Sequence, residues 1–282
     1  MLKIIEKTKI WFSISLLVIV LGIGFMVYRG GLNFGIDFIG GSKVIIQMPD
    51  DFTKSEVDEI IKKYAEDAVT NTVNDTQLEV KAKDFDSTKV SEMMNELKEK
   101  YKLEDDALVS QDEIGASVSS ELTKNSLISL SIAVIAMLIY VAVRFEFKFG
   151  VSAIIALLHD ILITVAIYAI FNVPVNTPFI VAILTIVGYS INDTIVIFDR
   201  IRENINKMRR SSSAEVANIS VTQTMSRSIN TTLTTLFTII AVNVFVPSVR
   251  EFTFPLIIGI ACGAYSSIFI ASPVWVMLKN RK

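Results

Sequence analysis

Long runs without a charged side chain constrain this chain more than any other feature. Residues 10–28, 125–143, 228–249 and 252–278 carry no Asp, Glu, Lys or Arg over 19, 19, 22 and 27 positions. At 1.5 Å per helical residue, each run is long enough to cross about 30 Å of hydrocarbon as a helix that satisfies its own backbone. Residues 149–198 have room for two more helices, parted by FNVPVNTP (171–178), whose Asn and Pro residues predict a tight turn. Six spans follow. The composition agrees: 51% of the chain is apolar and its mean hydropathy is +0.52, which belongs to membrane proteins.

Orientation follows from Lys and Arg. Segments 1–9, 144–148, 199–227 and 279–282 hold 3, 2, 6 and 3 of them, whereas the alternate short loops 172–177 and 250–251 hold 0 and 1. The positive-inside rule therefore predicts cytoplasmic termini. The first apolar run is longer than the core of a signal peptide, and VYRGG after it offers no small-residue cleavage pattern, so it reads as a retained anchor. The single cysteine, Cys262, lies in the last run, which excludes an intrachain disulfide and predicts a small packing residue.

The expected organisation is a first span within 1–28, an extracytoplasmic domain at 29–124, and five spans within 125–282 with a cytoplasmic loop at 199–227. The domain is acidic, with 12 basic against 21 acidic residues and a net charge of −9, while the rest of the chain carries +7. That asymmetry is first a matter of solubility and topology, and no nucleic-acid partner is expected. GSKVIIQM alternates as a strand, and TKSEVDEIIKKYAED has helical spacing at Val57, Ile60, Ile61 and Tyr64. AVTNTV is a weak strand before an ND turn, and TQLEVKAKDF alternates again. DSTKVSEMMNELKEKY is a second helix and DALVSQDEI a last strand, which gives the β-α-β-β-α-β order of a ferredoxin-like fold. Its expected core includes Leu78, Val80, Met94 and Leu97. No metal-ligand cluster, phosphate loop or activated nucleophile is visible in it, so neither enzyme chemistry nor a cofactor is expected.

Polar residues inside the apolar runs are where chemistry would sit. Thr185, Tyr189 and Asp193 recur every four residues in the fourth run, and Arg227, Thr231, Thr234 and Thr238 at spacings of four, three and four in the fifth. Asp160, Thr164 and Tyr168 do the same in the third, beginning beside His159, the one histidine. Such stripes are expected to face one another or a water-filled path rather than lipid. Asp193 lies six residues before Asp199, about 9 Å inside the membrane. Arg227, at the end of the next run, has a stem long enough to meet it there. A carboxyl in hydrocarbon is costly and marks an ion path, while threonines more often only bond across helices. Desolvation favours the neutral acid and a nearby guanidinium the carboxylate, so small helix movements would switch Asp193 between the two. His159 and Asp160 are either a further proton carrier or a structural bond.

Three stretches together carry a resemblance. GLNFGIDFIGGS (31–42), ALLHDILIT (156–164) and VGYSINDTIVIFDRIREN (187–204) resemble the SecF branch of the SecD/SecF family of protein-export subunits, and the likeness extends to about residue 278. The resemblance implies a membrane α-helical protein with six transmembrane helices, half of a resistance-nodulation-division bundle, with an α+β ferredoxin-like extracytoplasmic domain. It implies a SecD partner, the SecYEG channel, SecA and YidC as further contacts, an unfolded preprotein substrate, and use of the proton gradient in late translocation. By matching motifs it makes Asp193 the protonatable residue and Arg227 its partner. The residues themselves add His159, Asp160, Asn192, Tyr189 and Thr231 as candidates for a relay or for the groups around that pair. Gly35, Asp37, Gly40 and Gly41 belong to the first motif, as tight turns or as a hinge between membrane and domain. Two other functions fit the residues alone: a proton-coupled exporter of small solutes in the same superfamily, or a scaffold with no ion path. An exporter needs a substrate-sized cleft, and a scaffold does not need Asp193 and Arg227 at one depth.

Overall fold

The computed structural model describes residues 2–73, 76–83, 85–144 and 146–280. Six helical segments among them are long and apolar enough to cross a membrane: Ile5–Tyr28, Ala116–Val141, Phe147–Phe171, Thr177–Lys207, Ser213–Phe245 and Pro247–Asn280. The chain divides into two compact units, Met1–Asn33 with Ile128–Lys282 and Phe34–Leu127.

A short 3-10 turn leads into α1 (Thr8–Tyr28), the first span. The second unit opens with α2 (Ile36–Ile39) and β1 (Gly41–Gln47), followed by α3 (Lys54–Tyr64), β2 (Val69–Val73) and β3 (Gln77–Ala82). It closes with α4 (Ser87–Tyr101) and β4 (Leu108–Ile114). The sheet order is β2-β3-β1-β4 with every pairing antiparallel, which is the ferredoxin-like arrangement. Asn74 and Asp75, where the sequence predicts the turn between β2 and β3, lie outside the described residues. Val57, Ile60, Ile61, Leu78, Val80, Met94 and Leu97 are all buried in one cluster between helices and sheet. Asp86 caps α4 by accepting from the Lys89 amide at 2.9 Å, which satisfies one of the free donors of a helix start.

Two strands depart from the alternation expected of a one-sided sheet. β3 is buried at every position from Leu78 to Ala82. Glu79 and Lys81 point away from the core but pair at 2.9 Å, with Lys43 3.5 Å from Glu79, so ionic groups cover that face too. β4, an edge strand, has no fully buried residue. At the junction of α2 and β1 the backbone requires glycine. Gly40 and Gly41 have φ of +73° and +108°, and a Cβ on Gly41 would lie 2.2 Å from the Ala82 carbonyl oxygen. Gly35, with φ −78°, only precedes α2, and Asp37 sits in that helix's first turn.

The remaining spans are α5 (Ala116–Arg144), α6 (Phe147–Phe171), α7 (Thr177–Lys207) and α8 (Ser213–Phe245), then α9 (Arg250–Ser266) and α10 (Ser272–Asn280). Several run past the uncharged stretches that reveal them. The segment 199–227, expected as a loop, is helical except at residues 208–212. The break is made by Ser212, whose hydroxyl accepts from the Glu215 amide at 3.2 Å in a Ser-x-x-Glu start. The last span, continuous in sequence, contains a π-helical turn at Ser267–Ala271 between α9 and α10. There the Ser272 hydroxyl donates to the Ser267 carbonyl at 3.2 Å. At its C-terminal end α1 is tied to the last turn of α6, where the Arg29 guanidinium donates to the Ala169 carbonyl at 2.6 Å. The Val175 amide donates to the Asn33 carbonyl at 2.7 Å beside it.

Candidate functional site

The third-run stripe of Asp160, Thr164 and Tyr168 on α6 is fully inside, at 0%, 0% and 1% exposure. Asp160 is the centre of a network drawn from four helices. Its Oδ2 accepts from the Ser190 hydroxyl of α7 at 2.6 Å and the Ser266 hydroxyl of α9 at 2.8 Å. Its Oδ1 accepts from the Cys262 thiol at 3.1 Å and lies 3.0 Å from His159 Nδ1. His159 Nε2 in turn lies 2.7 Å from the Ser15 hydroxyl of α1. Beyond Ser15, at 3.5 Å, is the Tyr265 hydroxyl, which donates to the Trp11 carbonyl at 2.8 Å. The approach of α7 to α9 depends on Gly263, where a Cβ would lie 3.0 Å from Ser190 Cβ.

Asp193 is placed differently. It is 4% exposed, on the same helix as Ser190, and its one hydrogen bond among the described residues is a long contact of 3.5 Å from the Thr232 hydroxyl of α8. The Ser228 hydroxyl, one turn away from Thr232 on α8, is buried and finds no partner among the described residues. Asp193 and Arg227, expected as a pair, form no ion pair within 4.0 Å among the described residues, and Arg227 is exposed on α8. Asn192 is exposed beside Asp193, and the Tyr189 hydroxyl reaches across to the Thr231 carbonyl at 3.3 Å and Thr235 Oγ1 at 3.1 Å.

The three stripes do not all face one another. The face that α8 turns inward carries Val221, Thr224, Ser228 and Thr232, all buried. Arg227, Thr231, Thr234 and Thr238 lie about one residue further round and are exposed, as are Thr185 and Asn192 of α7. Their hydroxyls are satisfied on their own helix: Thr231 donates to the Arg227 carbonyl at 2.9 Å and Thr238 to the Thr234 carbonyl at 3.1 Å. A polar strip headed by an arginine thus lies on the outer side of two spans, at the edge of the Asp193 site. Such a strip is costly against lipid and inexpensive against another protein.

Sequence reasoning missed Ser15, Ser190, Thr232, Cys262 and Ser266. Ser190 shared a face with Asp193, but the others sit in apolar runs without periodic partners. Cys262 is more than a packing residue, since its thiol donates to Asp160. His159, Asp160 and Cys262 are the one His, Cys and carboxylate group of three among the described residues whose donor atoms lie within 4.8 Å of one another. These atoms are spent on each other, and hydroxyls hold the far side of each ring and carboxyl.

The family described as protein export membrane protein SecD/SecF, C-terminal, matches residues 92–281. The chain is 38% identical to the protein translocase subunit SecF of Sebaldella termitidis, over 100% of this chain and 93% of that one. It is 35% identical to the protein translocase subunit SecDF of Bacillus subtilis, over 98% of this chain but 38% of the longer protein. The crystal structure of SecDF, a translocon-associated membrane protein from Thermus thermophilus, superposes with a TM-score of 0.87 at 32% identity, over 99% of this chain and 39% of that one.

Proposed function

The chain belongs to the SecD/SecF family of protein export membrane proteins, and from that premise we propose that it serves protein export as the partner of a SecD-type chain, with Asp193 binding and releasing a proton in each cycle. The observation that carries the proton reading is the contrast between two buried carboxyls. Asp160 is held by three donors from α7 and α9, so a change in its charge would dismantle a network. Asp193, equally enclosed, has among the described residues only the 3.5 Å contact from Thr232. A membrane-buried carboxyl held so loosely can gain and lose a proton at small structural cost. The exposed Arg227, on a long flexible stem, swings towards Asp193 to favour its ionised form and away to favour the acid. No covalent step is involved.

The exposed strip from Arg227 to Thr238 suits contact with a SecD-type partner. A second bundle laid against α7 and α8 would remove these groups from lipid and enclose the Asp193 site. Relatives in which SecD and SecF form one chain, of which this chain spans 38% and 39%, support that assignment. In this reading both termini and the segment 199–227 face the cytoplasm, and residues 29–124 face outward. There the domain acts on unfolded preprotein after SecA and SecYEG, with YidC nearby, have begun its passage.

Export of a reporter preprotein into membrane vesicles, with and without a proton gradient, tests the reading. Asp193→Asn keeps the size of the side chain and much of its hydrogen bonding but cannot ionise. The variant should assemble with its partner yet lose the gradient-dependent part of export. An unreduced response to the gradient would reject the proton role.

A further inference from the structure

We propose that His159 is a second proton-binding group of this protein, and that its protonation fastens α1 to α6 and α9. The inference deepens the proton reading given for Asp193 and rests on it only for where the proton comes from. It is carried by an accounting of protons along the chain of groups that joins α1 to the core. Tyr265 has one hydroxyl proton and gives it to the Trp11 carbonyl, an atom that can only accept, at 2.8 Å. Tyr265 can therefore meet Ser15 only as an acceptor.

Ser15 also has a single proton and two claimants for it, His159 Nε2 at 2.7 Å and the Tyr265 oxygen at 3.5 Å. With His159 neutral, Nδ1–H donates to Asp160 and Nε2 accepts from Ser15. The Tyr265 contact then has no proton of its own, which agrees with its length. When a proton binds the lone pair of Nε2, the direction reverses. Nε2–H donates to Ser15, and the Ser15 proton turns to Tyr265. No covalent bond in the protein is broken, and every group is satisfied in both states. The short link between α1 and α6 becomes charge-assisted, and a second link, from α1 to α9, gains its proton.

The surroundings suit this use. His159 faces Asp160 on its own helix, Cys262 and Tyr265 on α9 and Ser15 on α1, with the Tyr265 ring stacked at 5.9 Å. Asp160 is the one ionisable partner of opposite charge among them, and its other oxygen is fixed by Ser190 and Ser266, so it serves as a stationary counter-charge. On its outer side the ring looks into a cleft of about 340 Å³ lined by Ile14, Val18, Ile163, Ile257, Ile258 and Ala261 among others. Inward, the ring is joined through Asp160 to Ser190, which lies less than one helical turn from Asp193 on α7. The consequence reaches the rest of the chain because α1 leads directly into the second unit.

Since His159 is the one histidine in the chain, ¹⁵N-histidine labelling of the full-length protein gives a single imidazole spectrum. On acidification over the range in which the protein stays folded, it should pass from one neutral tautomer, protonated on Nδ1, to the doubly protonated ring. Ser15→Ala, which leaves Nε2–H without an acceptor, should lower its proton affinity about tenfold, or one pH unit. Asp160→Asn, which removes the counter-charge, should keep the ring neutral where the parent is charged. A ring that stays in one form across this range, or a Ser15→Ala protein that titrates as the parent does, would overturn the proposal. The two readings fail separately. If His159 does not titrate while Asp193→Asn still abolishes gradient-driven export, only this inference falls; if His159 titrates and Asp193→Asn exports normally, only the Asp193 reading falls.

Discussion

Two carboxyls buried at 0% and 4% exposure have opposite surroundings, and their sequence contexts do not reveal which is which. Asp193 is conspicuous in SINDTIVIF because nothing near it in sequence is charged until Asp199. Asp160 is less so, because beyond His159 its partners are Ser190, Cys262 and Ser266, up to 106 residues away. Short polar side chains in apolar runs carry no periodic signal that would pick them out. Glycines show the same limit. The sequence left the GG pair of the first motif open between tight turn and hinge, and it did not reveal the role of Gly263 in admitting Ser190. At Gly41 the φ of +108° and the 2.2 Å approach to the Ala82 carbonyl leave no room for a methyl group. Gly41→Ala should therefore destabilise the domain by at least about 2 kcal/mol, measured by denaturant unfolding, while Gly35→Ala at an ordinary φ should cost much less.

Among the elements, those with a strong period were read most faithfully. Helices α3 and α4 bury the apolar residues their spacing marks, and the four strands appear in the expected order. What failed was phase and extent. On α8 the polar spacing chosen in sequence was one residue off the inward face, and one residue is about 100° of rotation, enough to move Arg227 and Thr231 to the outside. Charge-free runs mark hydrocarbon thickness rather than helix length, so α7 and α8 ran on through residues read as loop. Packing between α3 and α4 adds a prediction about acid. Glu96 on α4 pairs with Lys63 and accepts from the Tyr64 hydroxyl at 2.7 Å, both on α3, and the Lys63 bond foremost holds its carboxyl below the usual glutamate range. A lowered carboxyl pKa contributes stability above the unfolded value, lost as pH falls through the folded one. Residues 36–113, made alone, should unfold cooperatively at neutral pH and lose stability below about pH 4. Glu96→Gln should be less stable at pH 7 and show a shallower loss on acidification, both followed by circular dichroism. A fragment already disordered at pH 7 would contradict the assignment of a self-contained domain.

For the whole molecule, two units of opposite charge serve different solvents. The acidic ferredoxin-like unit has a core of its own, and the membrane unit buries polar groups that a bilayer would reject. Class, span number and domain fold were legible because hydrocarbon thickness and the two structural periods are written locally. The outward polar strip of α7 and α8 was not, because polar spacing alone does not say which way a helix face turns. The central claim is that a proton passes through the Asp193 carboxyl as the protein works. Sealed vesicles containing the chain and its SecD-type partner, loaded with a pH-sensitive dye and placed under an imposed proton gradient, measure this directly. The account predicts proton entry in the parent well above that of protein-free vesicles, and entry reduced to the protein-free rate in Asp193→Asn. Equal entry in the parent and Asp193→Asn would contradict it.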